Sequence, residues 1–162
     1  MHSFSGEDRH IKNRSASHQK EQDHQQQEVK LSPLAKRILI VDDDIDITYT
    51  FKKAFEEANR IGGNKISFYV DTYNDPVVAL SEFKPDFYDL LLIDINLPKM
   101  NGFDFCIKIF EVDLNPKVCF MSSGLINQEA LKEQYSSLSI GCFIKKPITM
   151  ENLVRKVKAE LE

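Results

Sequence analysis

Short, wholly apolar runs alternate along this chain with longer segments whose apolar residues recur at helical spacing. Ile38–Val41 and Leu90–Ile93 are two such runs, and each is followed directly by aspartate. Continuous apolar runs of this length are typical of parallel strands that are buried on both faces. Parallel neighbours need a crossover connection, usually a helix, so the alternation predicts an α/β fold built on one parallel sheet.

Five β-α units fit between Lys36 and the C-terminus, which predicts a five-stranded, doubly wound parallel sheet. The predicted strands are Ile38–Val41, Ile66–Val70, Leu90–Ile93, Val118–Met121 and Cys142–Ile144. Five helices are predicted from capping residues and from apolar residues at helical spacing. The first contains Ile47 to Ala58 and ends at Gly62-Gly63, the second begins at Asp75 and Pro76 and includes Leu80 and Phe83, and the third includes Phe103, Cys106, Ile107 and Phe110. The fourth is Asn127–Tyr135, and the fifth runs from Thr149 to Leu161.

The N-terminal segment differs from the rest in composition. Residues 1–33 are rich in Gln, Ser, His, Glu and Lys, and we expect a disordered polar tail there, with one folded domain over residues 34–162 and no second domain. All four histidines lie in this tail: His2, His10, His18 and His24. They could form a loose metal site or act as phosphodonors, but solvated side chains in an unordered segment are the better interpretation.

Composition narrows the class of protein. The net charge is −4 and no basic stripe is present, which argues against direct binding of nucleic acid. No apolar stretch approaches the ~20 residues of a membrane helix, and the N-terminus lacks the apolar segment of a signal peptide. We therefore expect a cytoplasmic protein without membrane insertion. Cys106, Cys119 and Cys142 show no metal-ligand spacing and are expected to be buried free thiols.

Chemically active side chains follow four of the predicted strands. They are Asp42-Asp43 after the first, Asp94 after the third, Ser122-Ser123 after the fourth, and Lys145-Lys146-Pro147 after the fifth. In an open α/β sheet the ligand crevice lies at the carboxyl ends of the strands, so these groups are expected to converge. Crowded carboxylates need a cation, and oxygen ligands alone suit Mg²⁺ or Mn²⁺.

The order of these motifs, with Pro98 and Gly102 in the loop after Asp94, resembles the response-regulator receiver domain of two-component signalling. The resemblance is to single-domain, chemotaxis-regulator-like receivers, and it implies a flavodoxin-like fold. We attribute Gly102 itself to backbone freedom after Pro98.

The resemblance also implies a role for each position. Asp94 matches the phosphoacceptor, Asp43 a direct metal ligand, and Asp42 its partner, which usually acts through bound water. The backbone carbonyl of Asn96 matches a further metal ligand.

The remaining roles implied by the resemblance concern switching and charge. Ser122 matches a hydroxyl that closes on the phosphoryl group, Lys146 matches the lysine before a cis Pro147, and Phe143 matches the switch aromatic. Ser and Phe replace the commoner Thr and Tyr at two of these positions. Asp44 and Asp46 are interpreted as charges favourable to a helix N-terminus.

The implied function is a phosphorylation switch. A sensor histidine kinase would donate a phosphoryl group to Asp94, and a downstream output protein would receive the signal through contacts or by phosphorelay. The protein would catalyse only its own phosphoryl transfer and dephosphorylation. The output surface would comprise the fourth helix, the fifth strand and the fifth helix, centred on Phe143.

Two other functions are compatible with parts of the pattern. An Asp-nucleophile phosphohydrolase is suggested by Asp42-x-Asp44, but no matching Thr or inserted cap segment follows. A phosphate-independent pseudo-receiver would be expected to lack Asp43, Asp94 or Lys146. A calcium loop fails because Lys53 stands at the twelfth position, where a Glu is needed, and a dinucleotide site fails because GxGxxG is missing.

We predict that residues 1–33 are dispensable for phosphorylation. A truncated chain that begins near Pro33 should fold and incorporate phosphate from acetyl phosphate at a rate similar to that of the full chain, because the removed segment has too few apolar residues to pack. Phosphate incorporation and the melting temperature of both chains test this. A large drop in melting temperature on truncation would show that the segment docks on the domain.

Overall fold

The computed structural model describes residues 34–63 and 65–162. The predicted disorder of residues 1–33, and the histidines there, lie outside the described residues. The described chain alternates strand and helix: β1 Ala35–Val41, α1 Ile45–Ile61, β2 Ser67–Tyr73, α2 Pro76–Glu82, β3 Leu90–Asp94, α3 Gly102–Phe110, β4 Lys117–Ser122, α4 Gln128–Gln134, β5 Ile140–Lys145 and α5 Met150–Leu161.

The five strands form one parallel sheet in the order β2-β1-β3-β4-β5. The doubly wound, flavodoxin-like fold predicted from the sequence is therefore confirmed. The order reverses direction between β1 and β3, which is the topological switch point where such sheets hold ligands. The pairs Val41↔Ile93 and Asp94↔Met121 bring the ends of β1, β3 and β4 level with one another.

Each face of the sheet packs into its own core. Strand residues Ile38, Ile40, Leu90 and Leu92 point to the face covered by α1 and α5, and all four are fully buried. Their sequence neighbours in the strands point to the opposite face and pack with residues of α2, α3 and α4. These strand residues are Leu39, Val41, Leu91 and Ile93. Burial on both faces explains why these strands are uninterrupted apolar runs.

A polar side chain caps each helix at its N-terminus. The capping residues are Asp44, Asp75, Asn101, Asn127 and Thr149, each accepting a hydrogen bond from a backbone N–H of the first turn. Such caps satisfy N–H groups that have no partner within the helix. The interpretation of Asp44 as a group favourable to a helix start is thus correct, since its Oδ1 accepts from the N–H of Asp46 at 2.9 Å.

Two elements depart from their predicted form. β2 extends to Tyr73, three residues beyond the predicted end at Val70. Its last residues are polar or partly exposed, yet they pair with β1 up to Val41↔Tyr73, so the apolar pattern stops before the backbone pairing does. In α3, Ile107 is one of the apolar residues that mark the predicted helix, but its side chain is 38% exposed, whereas Phe105 and Ile109 are buried in the core.

The expectation of three free thiols is wrong for two of them. Cys119 of β4 and Cys142 of β5 form a disulfide, whereas Cys106 is a buried free thiol. The two bridged residues are direct partners in the β4–β5 ladder, with their Cα atoms 4.6 Å apart. They lie 23 residues apart in sequence, so no short cysteine motif marks them; the pairing follows from strand register alone.

Within residues 34–63 and 65–162, every helix is too short or too polar to cross a membrane.

Candidate functional site

Three carboxylates meet at the carboxyl ends of β1 and β3. Asp42 and Asp43 follow β1, and Asp94 is the last residue of β3, the neighbouring strand. One oxygen from each of the three can be chosen so that all lie within 4.8 Å of one another. Asp42 is fully buried and Asp94 is 5% exposed, whereas Asp43 is exposed to solvent. The arrangement therefore joins two buried acids to one acid that solvent can reach.

Lys146 places its ammonium group between the two buried acids. Its Nζ lies 2.8 Å from Asp42 Oδ2 and 3.4 Å from Asp94 Oδ1. The backbone N–H of Lys146 donates to the carbonyl oxygen of Ser122 at 2.8 Å, which ties the exit of β5 to the end of β4. The Lys146–Pro147 peptide bond, expected to be cis, is cis in the structure.

The charges of the site alter each other's proton affinity. Burial, followed by the negative charge of Asp42, raises the pKa of Asp94 above its ordinary value, although Lys146 and a hydrogen bond from the Asn96 backbone N–H act in the opposite direction. Burial acts to lower the pKa of Lys146, but the hydrogen bond and charge of Asp42, together with Asp94, raise it above the ordinary value. Lys146 is therefore held as a cation, and Asp94 carries a penalty for being ionised.

The donor set fits a hard divalent cation. Asp42, Asp43 and Asp94 offer oxygen atoms alone, which suits Mg²⁺ or Mn²⁺ rather than metals that favour thiolate or imidazole ligands. One lysine cannot neutralise three carboxylates, so the site retains excess negative charge. Asn96 lies two residues beyond Asp94, and its backbone N–H bonds to the Asp94 carboxylate; a role for its carbonyl as a metal ligand stays a prediction.

Ser122 is the last residue of β4, and Phe143 lies within β5, three residues before Lys146. The buried hydroxyl oxygen of Ser122 accepts a hydrogen bond from the Gly124 N–H at 3.0 Å. The Phe143 ring is 7% exposed and its centroid lies 6.0 Å from that of Phe120, within the core under α3 and α4. Phe143 is thus in an inward position, and the Ser122 hydroxyl is engaged by its own loop.

Gly102 is required for a different reason from the one given in the sequence analysis. Its φ is not positive, and a Cβ atom at this position would overlap the backbone carbonyl oxygen of Asp94. The Gly102 N–H also donates to the Ile95 carbonyl at 2.9 Å. The first residue of α3 therefore packs directly on the backbone of Asp94. The sequence motif predicts only backbone freedom at Gly102 and does not predict this contact.

Asn74 also holds the acidic site in place, a role that the sequence pattern does not predict. Its Nδ2 donates to the carbonyl oxygen of Asp42 at 2.8 Å and lies 3.0 Å from the Thr48 hydroxyl. The Asp42 N–H donates in turn to the Tyr73 carbonyl, one residue before Asn74. The end of β2 thereby fixes the backbone of Asp42. The only signal in the sequence is a polar residue ahead of a helix cap, which is too common to identify the role.

Known proteins that are similar to this chain identify its family. The profile of the response regulator receiver domain matches residues 38–158. The chain belongs to this family. Among curated relatives, the transcriptional regulatory protein PrrA of Mycobacterium tuberculosis is 28% identical over 127 residues, which cover 77% of this chain and 49% of PrrA. The chain thus spans about half the length of that relative.

A relative of similar size is the chemotaxis protein CheY of Thermotoga maritima. It is 28% identical over 121 residues, covering 75% of this chain and 93% of CheY. Among solved structures, the non-phosphorylated HemR receiver domain of Leptospira biflexa superposes with a TM-score of 0.66 at 24% identity, covering 78% of this chain and 94% of that domain. At that identity the structural likeness supports the receiver fold alone.

We predict that Asp94→Asn stabilises the receiver domain when divalent cations are absent. Because the folded-state pKa of Asp94 is raised, the ionised form is disfavoured in the folded state at pH above that pKa. The resulting penalty is fully present near neutral pH and disappears as pH falls below the ordinary value of 3.8. Urea denaturation in a chelating buffer should show a higher unfolding free energy for Asp94→Asn at pH 7, with the gain shrinking in acid.

The matched control is Asp104→Asn, which replaces an exposed aspartate in the first turn of α3. A negative charge there favours the helix N-terminus, so its removal should give no gain at pH 7. A gain for Asp94→Asn that grew as the pH fell would contradict the assigned sign.

Proposed function

We propose that Asp94 accepts a phosphoryl group from a sensor histidine kinase, with Mg²⁺ or Mn²⁺ as cofactor, and that the domain formed by residues 34–162 acts as the resulting switch. Family membership supports a role in two-component signalling. One observation carries the residue-level proposal: the Lys146 ammonium lies between Asp42 and Asp94, at the strand ends where Asp43 completes the acidic cluster.

The chemistry follows from the positions of these charges. A carboxylate oxygen of Asp94 would form a bond to phosphorus while the bond between phosphorus and the donor breaks. Lys146 brings a compact positive charge to the equatorial oxygens of the phosphoryl group. A divalent cation held by Asp42, Asp43 and the Asn96 carbonyl would neutralise the repulsion between the carboxylates and the incoming phosphate.

Phosphorylation would change the charge that Lys146 and Ser122 face. A phosphoryl group carries about −1.5 to −2 charges, which competes with Asp42 for the Lys146 ammonium. It also offers acceptor oxygens to the Ser122 hydroxyl, which now accepts from Gly124. Since Ser122 begins the loop into α4, a hydroxyl drawn toward Asp94 would move the start of that loop.

The output surface proposed from these links comprises α4, β5 and α5. Phe143 on β5 packs near Phe120, and Phe120 packs in turn on Phe103, whose ring stacks on Tyr135 at the end of α4 with centroids 4.3 Å apart. None of the residues of α4 is buried, so its position depends on few contacts. A shift of the Ser122 loop or of Phe143 would therefore alter this surface and its affinity for an output protein or a phosphorelay partner.

We predict that acetyl phosphate labels Asp94 and that labelling requires a divalent cation. Intact mass should show one added phosphoryl group in the presence of Mg²⁺, and peptide mapping should place it on Asp94. The Asp94→Asn variant should lose the label because the nucleophilic oxygen is gone, whereas Asp104→Asn should be labelled like the parent chain. Full labelling of Asp94→Asn would refute the assignment, and stable partner binding without labelling of the parent would favour a pseudo-receiver.

We also predict that Mg²⁺ raises the melting temperature of the unphosphorylated domain, since a ligand that binds only the native state stabilises it. Asp43→Ala should abolish this shift, because it removes the exposed carboxylate of the cluster. Asp46→Ala serves as the matched control, since Asp46 is also exposed and lies nearby but its carboxylate is outside the cluster. A Mg²⁺ shift of unchanged size in Asp43→Ala would place the metal elsewhere.

A further inference from the structure

We propose that Cys119 and Cys142 form a reversible thiol–disulfide switch that controls whether phosphorylation at Asp94 can rearrange β4 and β5. The inference rests on the proposed function of Asp94, because it assigns a second, redox input to the same output surface. The bonded pair lies within the β4–β5 ladder, not at either end of it, and this ladder joins the two strands that carry Ser122 and Phe143.

The disulfide lies immediately after an irregularity in the strand pairing. Val118 pairs with Ile140, but the next residue, Cys119, pairs with Cys142, so Gly141 is an extra residue on β5. A β-bulge of this kind leaves one residue unpaired and disrupts the ladder locally. From Cys142 onward, the register of β5 against β4 is therefore held by the later backbone hydrogen bonds and by the covalent bond between the two cysteines.

Register matters here because β5 presents different groups to its two faces. Cys142 packs in the core under α1 and α5, whereas Phe143 packs in the core under α3 and α4. A one-residue slip exchanges the faces of all side chains in a strand. Fixing the Cys119–Cys142 pair therefore also fixes which face Phe143 occupies.

The bridge also lies close to both groups that would respond to phosphate. Along β4 it is three residues before Ser122, and along β5 it is next to Phe143 and four residues before Lys146. The strand ends beyond it are joined by the Lys146 N–H bond to the Ser122 carbonyl. With the disulfide formed, β4 and β5 are constrained to move together; with free thiols, the segment after the bulge can shift.

The two cysteines differ in accessibility, which gives the exchange an order. Cys142 is partly buried on β5, a strand at the edge of the sheet, whereas Cys119 is fully buried on β4. The Cys142 thiolate would attack one sulfur of a small-molecule disulfide such as oxidised glutathione, forming a mixed disulfide and releasing one thiolate. The Cys119 thiolate would then attack the Cys142 sulfur and release the second thiol.

This exchange is balanced in atoms and electrons. The two protein thiols lose two protons and two electrons, one small disulfide is reduced to two thiols, and those thiols carry the protons. Excess reduced glutathione runs the same steps in reverse. Cys106 takes no part, since burial strongly raises the pKa of its thiol and it has no disulfide partner.

The test uses the full chain in both redox forms. The protein is equilibrated with oxidised or reduced glutathione, free thiols are alkylated, and peptides are mapped without reduction. Amide exchange is then measured for each form with Mg²⁺, with and without beryllofluoride as phosphoryl mimic. We expect a Cys119–Cys142 peptide in the oxidised form, and a beryllofluoride-dependent change in exchange across α4 and β5 that is present in the reduced form and lost in the oxidised form.

Two variants sharpen the comparison. Cys142→Ala should respond to beryllofluoride in both buffers as the reduced parent does, whereas Cys106→Ala should keep the redox dependence of the parent. The unsubstituted chain already tests the proposal in its two forms, so a folding defect in either variant does not remove the test.

Each contrary result has a distinct meaning. Free thiols at Cys119 and Cys142 after equilibration with oxidised glutathione would overturn the inference, and so would equal beryllofluoride responses in the two forms, while acetyl phosphate labelling of Asp94 would leave the proposed function standing. Absence of Asp94 labelling in both forms would overturn the proposed function and, with it, the gating role of the disulfide.

Discussion

The ammonium of Lys146 is the group on which the arrangement of the acidic site depends. Two almost fully buried carboxylates, Asp42 and Asp94, face each other across neighbouring strands, and Lys146 contacts both. Burying a charge without a partner costs several kcal/mol, so loss of the Lys146 cation, which would leave both carboxylates unpaired, should destabilise the fold by about 3–5 kcal/mol. The β1, β3 and β5 strand ends are therefore joined by one cation, although β5 and β1 are not neighbours in the sheet.

The positive charge of Lys146 does not neutralise all the carboxylates, and the excess negative charge is what suits the site to a cation. Three carboxylates and one ammonium leave excess negative charge at a place that solvent reaches through Asp43. This excess negative charge contributes to the raised pKa of Asp94, because burial and the charge of Asp42 both disfavour the ionised form. A cation from solvent would relieve the same repulsion, so the proposed metal binding and the proposed phosphate acceptance would both depend on this excess negative charge.

The sequence predicts whatever depends on periodicity and strand ends. Ile38–Val41 and Leu90–Ile93 identify buried parallel strands, and the residues that follow them identify the edge where the acids meet. It does not predict contacts set by tertiary register. The bonding of Cys119 to Cys142 depends on a bulge at Gly141, and the role of Asn74 depends on where β2 ends beside Asp42. Gly102 was identified for the wrong reason, since its neighbour in space is the Asp94 backbone.

The close packing of Gly102 on the Asp94 carbonyl has a mechanical consequence. On that side the backbone of β3 and the first turn of α3 are in contact with no side chain between them, which leaves little free space beside Asp94. On the other flank, α4 buries none of its residues and the Ser122 loop precedes it. If Asp94 accepts a phosphoryl group as proposed, the Gly102 contact would restrict displacement toward α3 more than displacement toward the Ser122 loop. The unequal packing on the two sides of Asp94 would then make the Ser122 loop and α4 the route by which a phosphorylation signal leaves the site.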